Sequence, residues 1–178
     1  MDAIETWKTA DGCTVSVYWD DCAENPREWG GNVGKLVSPR EKYFKNEVPI
    51  NSNIYGEYWL DAKEYAAVFP LYVLDHSGVN FSIGYAANPW GHWDCFQCGW
   101  IVVEKDEMRA RGWKRLSKKR RDQLREWIAG ELETYSDYCN GAVYYYTVTD
   151  PDGNEVDACG GYYGYNGIEE IKAQYPET

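Results

Sequence analysis

The sequence predicts a single α+β domain over residues 1–178, a mainly antiparallel sheet packed against one long helix at about 118–139. Three observations carry that prediction. Short alternating segments are joined by Asp-Gly and Ser-Gly turn compositions, the pattern of antiparallel hairpins. Between 118 and 139 the period changes, and Leu124, Trp127, Ile128, Leu132, Tyr135 and Cys139 recur at helical spacing. A chain of 178 residues, 44% hydrophobic and 26% charged, has the size and composition of one globular domain, with no repeat, linker or low-complexity tract.

Taken in order, Thr14 to Trp19 alternates Val15, Val17 and Trp19 against Ser16 and Tyr18 and reads as a strand. The acidic stretch Asp20 to Gly31 reads as a long loop before a short strand at Val33 to Val37, and residues 38 to 57 as mostly irregular. Asp61 is expected to start a short helix through Val68 that Pro70 closes. Leu71 to Leu74 and Val79 to Tyr85 are expected to pair through the turn Asp75-His76-Ser77-Gly78. Asn88 to Cys98 reads as a loop, Trp100 to Glu104 as a central strand, and Asp106 to Arg111 as a brief helix stopped by Gly112. Ser117 caps the long helix and Asn140-Gly141 ends it. Ala142 to Thr149 and Glu155 to Tyr162 flank the turn Asp150-Pro151-Asp152-Gly153-Asn154, and Ile168 to Tyr175 closes the chain as a helix.

Nine Trp and sixteen Tyr against four Phe favour rings with polar tips, which suit half-wet sheet faces and binding surfaces. No apolar run approaches 18 residues, so no membrane association is expected. Met1-Asp2-Ala3-Ile4-Glu5-Thr6 lacks the basic start and apolar run of a secretory signal, which points to the cytoplasm and to reduced cysteines.

The net charge of −11 is unevenly distributed. Residues 105 to 125 hold ten Lys and Arg against three acids, a segment of +7, and everything else sums to −18. Two readings compete. In one, the basic segment contacts nucleic acid through Trp113, Arg115, Lys118, Lys119, Arg120 and Arg121; in the other, an acidic body occupies the nucleic-acid site of another protein. Lys118 to Arg121 also sit at the positive end of the long helix, each misplaced charge costing about 0.3–1 kcal/mol when little screened, so a compensating arrangement is required.

His92-x-x-Cys95-x-x-Cys98 has zinc-ligand spacing but lacks a second Cys-x-x-Cys, and unligated cysteines with no cofactor are the expectation. Asp75-His76-Ser77 resembles a triad only in composition, because neighbours on a tight turn point apart; Asp75 is expected to organise the turn. Paired carboxylates such as Asp20-Asp21 and Glu169-Glu170 are unremarkable in a chain with 29 acids. The clusters Tyr144 to Tyr146 and Gly160 to Tyr165 read as sheet packing, since Asp150, Asp152, Glu155 and Asp157 around them repel phosphate. No enzymatic motif emerges.

Several segments together resemble a family of small acidic proteins encoded by bacteriophages and related mobile elements, to which no biochemical activity is assigned. They are Glu24-Asn25-Pro26-Arg27-Glu28-Trp29, Pro70 to Gly78, Pro89-Trp90, Gly112-Trp113-Lys114-Arg115-Leu116 with Lys118-Lys119-Arg120, Glu131 to Tyr135, and Glu155 to Gly160. The chain departs from that family at Gly30-Gly31 and at the His92 to Cys98 loop, which argues against zinc as a family-wide requirement. The resemblance implies a non-enzymatic anti-defence, anti-CRISPR-like protein in a bacterial or archaeal cytoplasm. Its partner would be a host defence protein or ribonucleoprotein, of CRISPR or restriction type, inhibited through its basic nucleic-acid-binding surface. Asp20, Asp21, Glu24, Glu28, Asp150, Asp152, Glu155 and Asp157 are the acidic groups expected to make that contact.

Overall fold

The alternation of Thr14–Trp19 does bury Val15 and Val17 completely, and this strand sits inside the first of two four-stranded antiparallel sheets. The computed structural model describes residues 2–52, 58–84 and 94–178. Its elements run β1 (Glu5–Lys8), β2 (Thr14–Trp19), a 3-10 turn (Pro26–Glu28), β3 (Lys35–Val37), β4 (Asn51–Ser52), β5 (Tyr58–Trp59), β6 (Tyr65–Asp75), β7 (Val79–Ser82), β8 (Cys95–Glu104), α1 (Lys105–Ala110), α2 (Lys118–Cys139), β9 (Val143–Thr149), β10 (Glu155–Tyr163) and α3 (Gly164–Gln174). They form two compact units, Met1–Glu28 with Thr134–Thr178, and Trp29–Glu133.

The first unit carries a sheet of order β1-β2-β9-β10. Thr14 lies opposite Thr149 and Trp19 opposite Tyr144, so β2 and β9 run antiparallel along their full lengths. One face places Trp7, Val15, Val17, Tyr144, Tyr146 and Val148 against Ile168 and Ile171 of α3. Each fully buried aliphatic side chain contributes about 1.5–3 kcal/mol. The Trp7 indole N–H donates to the Tyr175 carbonyl at 2.7 Å, which satisfies the one polar group of that buried ring. Helix α3 begins at Gly164, four residues earlier than expected, because Gly167 packs onto the Tyr162 backbone more closely than a Cβ would allow. That close approach outweighs glycine's poor helix propensity.

The second unit carries a sheet of order β3-β8-β6-β7, with β4 and β5 paired separately. Leu124, Ile128 and Leu132 recur at four-residue spacing on α2 and are fully buried. The Glu131 carboxylate accepts from the backbone N–H groups of Val33 at 2.5 Å and Gly34 at 3.3 Å, fixing the entry to β3. Ser117 caps α2 as expected, its hydroxyl accepting from the Arg120 N–H at 3.4 Å.

Four expectations require correction. The described residues form two four-stranded sheets and a two-stranded ribbon rather than mainly one sheet against one long helix. The segment after Asp61 is a turn followed by β6, not a helix; Ala67, Phe69, Leu71 and Val73 alternate inward and pair with β8. Pro70 does not break β6, since β7 covers only Tyr72 to Asp75 and leaves Pro70 on an open edge where no N–H is needed. Strand β8 begins at Cys95, so Cys95 and Cys98 belong to a strand instead of a loop, with Cys98 forming a bulge between Gln97 opposite Tyr72 and Gly99 opposite Leu71.

Candidate functional site

The first unit gathers 15 Asp and Glu against three Lys and Arg, a net −12, whereas the second holds 14 acids and 15 bases, a net +1. All eight acidic candidates lie in the first unit, but the sheet divides them. Asp20, Asp21, Glu24 and Glu28 follow the end of β2, while Asp150, Asp152 and Glu155 form the β9–β10 turn beside its start. At about 3.3 Å per residue the two groups stand about 20 Å apart along β2.

Several of these carboxylates also build the fold. Asp20 accepts from the Cys22 N–H at 3.1 Å and the Gly161 N–H at 3.1 Å. Asp150 accepts from the N–H groups of Asp152 at 2.9 Å and Asn154 at 2.8 Å, and bonds from the Asn154 side chain and backbone hold its pKa below the usual carboxylate range. Asp157 accepts from the hydroxyls of Tyr175 and Tyr146. Asp21, Glu24, Glu28, Asp152 and Glu155 are exposed. Exposed Val156 lies among them on the edge strand β10, and exposed Trp19, 4.9 Å from the Tyr144 ring, stands beside the Asp20 end.

The basic candidates lie in the second unit, where rings answer the reversed helix charges. Trp113 stacks on Trp127 with centroids 5.6 Å apart and planes at 20°. The Arg120 guanidinium lies 5.2 Å from the Trp113 ring and Arg111 lies 4.6 Å from Trp127. Arg121 and Arg125 both lie over Phe69, at 5.9 and 5.6 Å. Trp113 therefore already carries two neighbours on its ring. Lys114, Arg115, Lys118 and Lys119 remain exposed. A groove of ≈ 530 Å³ opens beside Lys114 and Arg115, walled by them with Tyr65, Lys105, Arg109 and Trp113. From sequence, Trp127 reads only as a helix-period residue and Lys105 and Arg109 only as members of the basic segment 105–125, while nothing marks Tyr65; the interleaving of Arg111, Trp113, Arg120 and Trp127 is the available signal.

Cys95 is buried and Cys98 half-buried, its thiol donating to the Leu71 carbonyl at 3.6 Å and pushed up to about 12 by burial. A neutral thiol is a poor zinc ligand. His92 lies outside the described residues, and among the described residues no three His, Cys, Asp or Glu side chains converge as a metal cluster. Asp75 points away from the supposed triad: its carboxylate accepts from the Tyr43 hydroxyl at 2.5 Å and Lys42 at 3.0 Å, while His76 pairs with Asp94 at 3.1 Å. Its role is to tether the segment 42–43 to β6, not to organise the turn.

No family model, curated protein or solved structure matches the chain. Among the described residues no helix is long and apolar enough to cross a membrane.

Proposed function

We propose that the protein acts by binding, without turnover, as a mobile-element inhibitor whose acidic first unit occupies the basic nucleic-acid-binding surface of a host defence effector of CRISPR or restriction type. The observation that carries this reading is the segregation of charge: −12 within one 73-residue unit, on a chain whose remainder is nearly neutral. A surface of that sign is attracted to the cationic channels that hold phosphates. The separation of the two acidic groups, about 20 Å, equals about six steps along one DNA strand at 3.4 Å each. Asp20, Asp150 and Asp157 hold the sheet and turns in shape, and Asp21, Glu24, Glu28, Asp152 and Glu155 face the partner.

The test is competition. Purified host effectors are loaded with labelled duplex DNA, and the protein is titrated at 50 and 300 mM salt. Displacement at 50 mM that weakens steeply at 300 mM is expected. Replacing Asp21, Glu24, Asp152 and Glu155 by Lys should raise the inhibitory concentration by about tenfold or more, because each reversed contact both loses attraction and adds repulsion. No displacement from any host effector at 50 mM salt would end the proposal.

A further inference from the structure

We infer that the basic groove of the second unit binds the phosphate-bearing part of a nucleotide, independently of the acidic face. The groove's ≈ 530 Å³ is in the range of small-ligand sites, about 300–1,000 Å³. Its cations converge for a local reason. Lys105 and Arg109 share one face of α1 at four-residue spacing. Gly112, at φ +69°, then turns the chain back, and the N–H groups of Gly112 and Trp113 close the helix by donating to Arg109 at 2.9 Å and Met108 at 2.8 Å. That reversal sets Lys114 and Arg115 on the same groove as Lys105 and Arg109.

The charge account identifies the ligand. Arg109 pairs with Asp106, and Lys105 donates to the neutral carbonyl of Lys63. Among the described residues no carboxylate pairs with Lys105, Lys114 or Arg115 and none lines the groove, so three cations face it while Glu64 and Glu104 act only on Tyr65 at its wall. That sum matches a phosphate group rather than a single carboxylate, with Lys acting as point charges and Arg offering a paired donor fork. Tyr65 and Trp113 give the wall an aromatic surface for a sugar or base. The wall is also preorganised: Trp113 is fixed against Trp127, and the Arg120 guanidinium donates to the Arg115 carbonyl at 2.8 Å. By contrast, Arg120 and Arg121 in the first turn of α2 are placed over rings, and Lys118 and Lys119 line a separate hollow together with the carboxylates Asp122 and Glu126, so the site lies in the groove and not along that turn.

The probe is a 5′-phosphorylated six-nucleotide oligothymidylate labelled at its 3′ end, read by fluorescence anisotropy at 50 mM salt with ATP as competitor. A short probe keeps repulsion from the −11 chain small. The double change Lys114→Ala with Arg115→Ala is expected to weaken binding at least tenfold. It should also lower the log–log salt slope by about 1.4, two single-strand phosphate contacts at about 0.7 each. The pair Lys118→Ala with Lys119→Ala, on exposed positions outside the groove, should change affinity less than twofold. Both pairs are exposed, and unchanged thermal unfolding confirms that folding is not the cause. ATP displacing the probe at micromolar concentration identifies a free nucleotide as the ligand; retention of the probe against ATP identifies a strand. Absence of binding by both probe and ATP, or equal weakening by the two double variants, overturns the inference.

Discussion

The Asp157 carboxylate accepts a hydrogen bond of 2.8 Å from the hydroxyl of Tyr146, whose ring is buried in the core of the first unit. The Tyr175 hydroxyl donates to the same oxygen, and the two rings meet at 5.4 Å. One carboxylate on an edge strand thus satisfies two phenols at the border of the core. The bond from Tyr175 first, and that from Tyr146 second, favour the ionised form and hold the pKa of Asp157 below the usual carboxylate range.

A folded-state pKa below the unfolded value of about 3.9 means that the stabilisation is present above that value and is lost as pH falls through the folded one. Asp157→Asn is therefore expected to lower the urea midpoint at pH 7, and the gap to the parent protein should narrow near pH 3. Equal midpoints at pH 7 would show that the two phenols find water just as readily.

Gly99 supports the β3–β8 pairing by its lack of a side chain. A Cβ there would fall inside the van der Waals shell of the Val37 carbonyl oxygen and within 3.2 Å of the Ser38 Cα, and both obstacles are backbone. Gly99→Ala should cost about 1–3 kcal/mol in chemical denaturation, the range for overpacking, and more if β3 detaches. A loss below about 0.5 kcal/mol would mean that β3 is not held where Val37 faces Trp100.

The elements legible in the sequence are those whose signals are local. The boundaries of α2 follow from Ser117, the period of Leu124, Ile128 and Leu132, and Asn140-Gly141; the β9–β10 hairpin follows from its Asp-Gly turn. The elements that local signals do not reveal depend on distant partners. Ala62 to Val68 contains good helix formers, but Tyr65 to Asp75 finds β8 some thirty residues away, and ladder pairing overrides propensity there. The uneven charge is visible in the sequence, but its concentration at −12 in one unit is not, because that unit is assembled from both ends of the chain. The basic segment was visible as composition, but which of its cations meet rings and which meet a groove depends on the turn at Gly112.

Thiol chemistry separates the cysteines. Cys22, Cys139 and Cys159 are exposed, though burial pushes the Cys139 thiol up, whereas Cys95 is buried and Cys98 is held as a neutral thiol with its pKa pushed up to about 12 by burial. Since the thiolate is the reactive form, iodoacetamide at pH 8 should label Cys22 and Cys159 first, and Cys95 and Cys98 only as the protein unfolds. Peptide mapping that found Cys98 modified as fast as Cys22 would contradict the bulged-strand placement.

Trp127 is the strongest test of how the second unit accommodates its cations. Its ring stacks on Trp113 and lies beneath the Arg111 guanidinium, which also donates to the Glu107 carboxylate at 2.7 Å. Aromatic pairing contributes about 0.5–1.5 kcal/mol and a partly exposed cation–π contact about 0.5–1 kcal/mol. Trp127→Ala should then cost about 1–2.5 kcal/mol, and Trp127→Phe should recover part of it by restoring one ring face. The same change should loosen Trp113 to Arg115, so its remaining Trp113 contribution to fluorescence should become more accessible to acrylamide. Unaltered stability and quenching would mean that the four positive charges opening α2, Lys118 to Arg121, are accommodated without the stack.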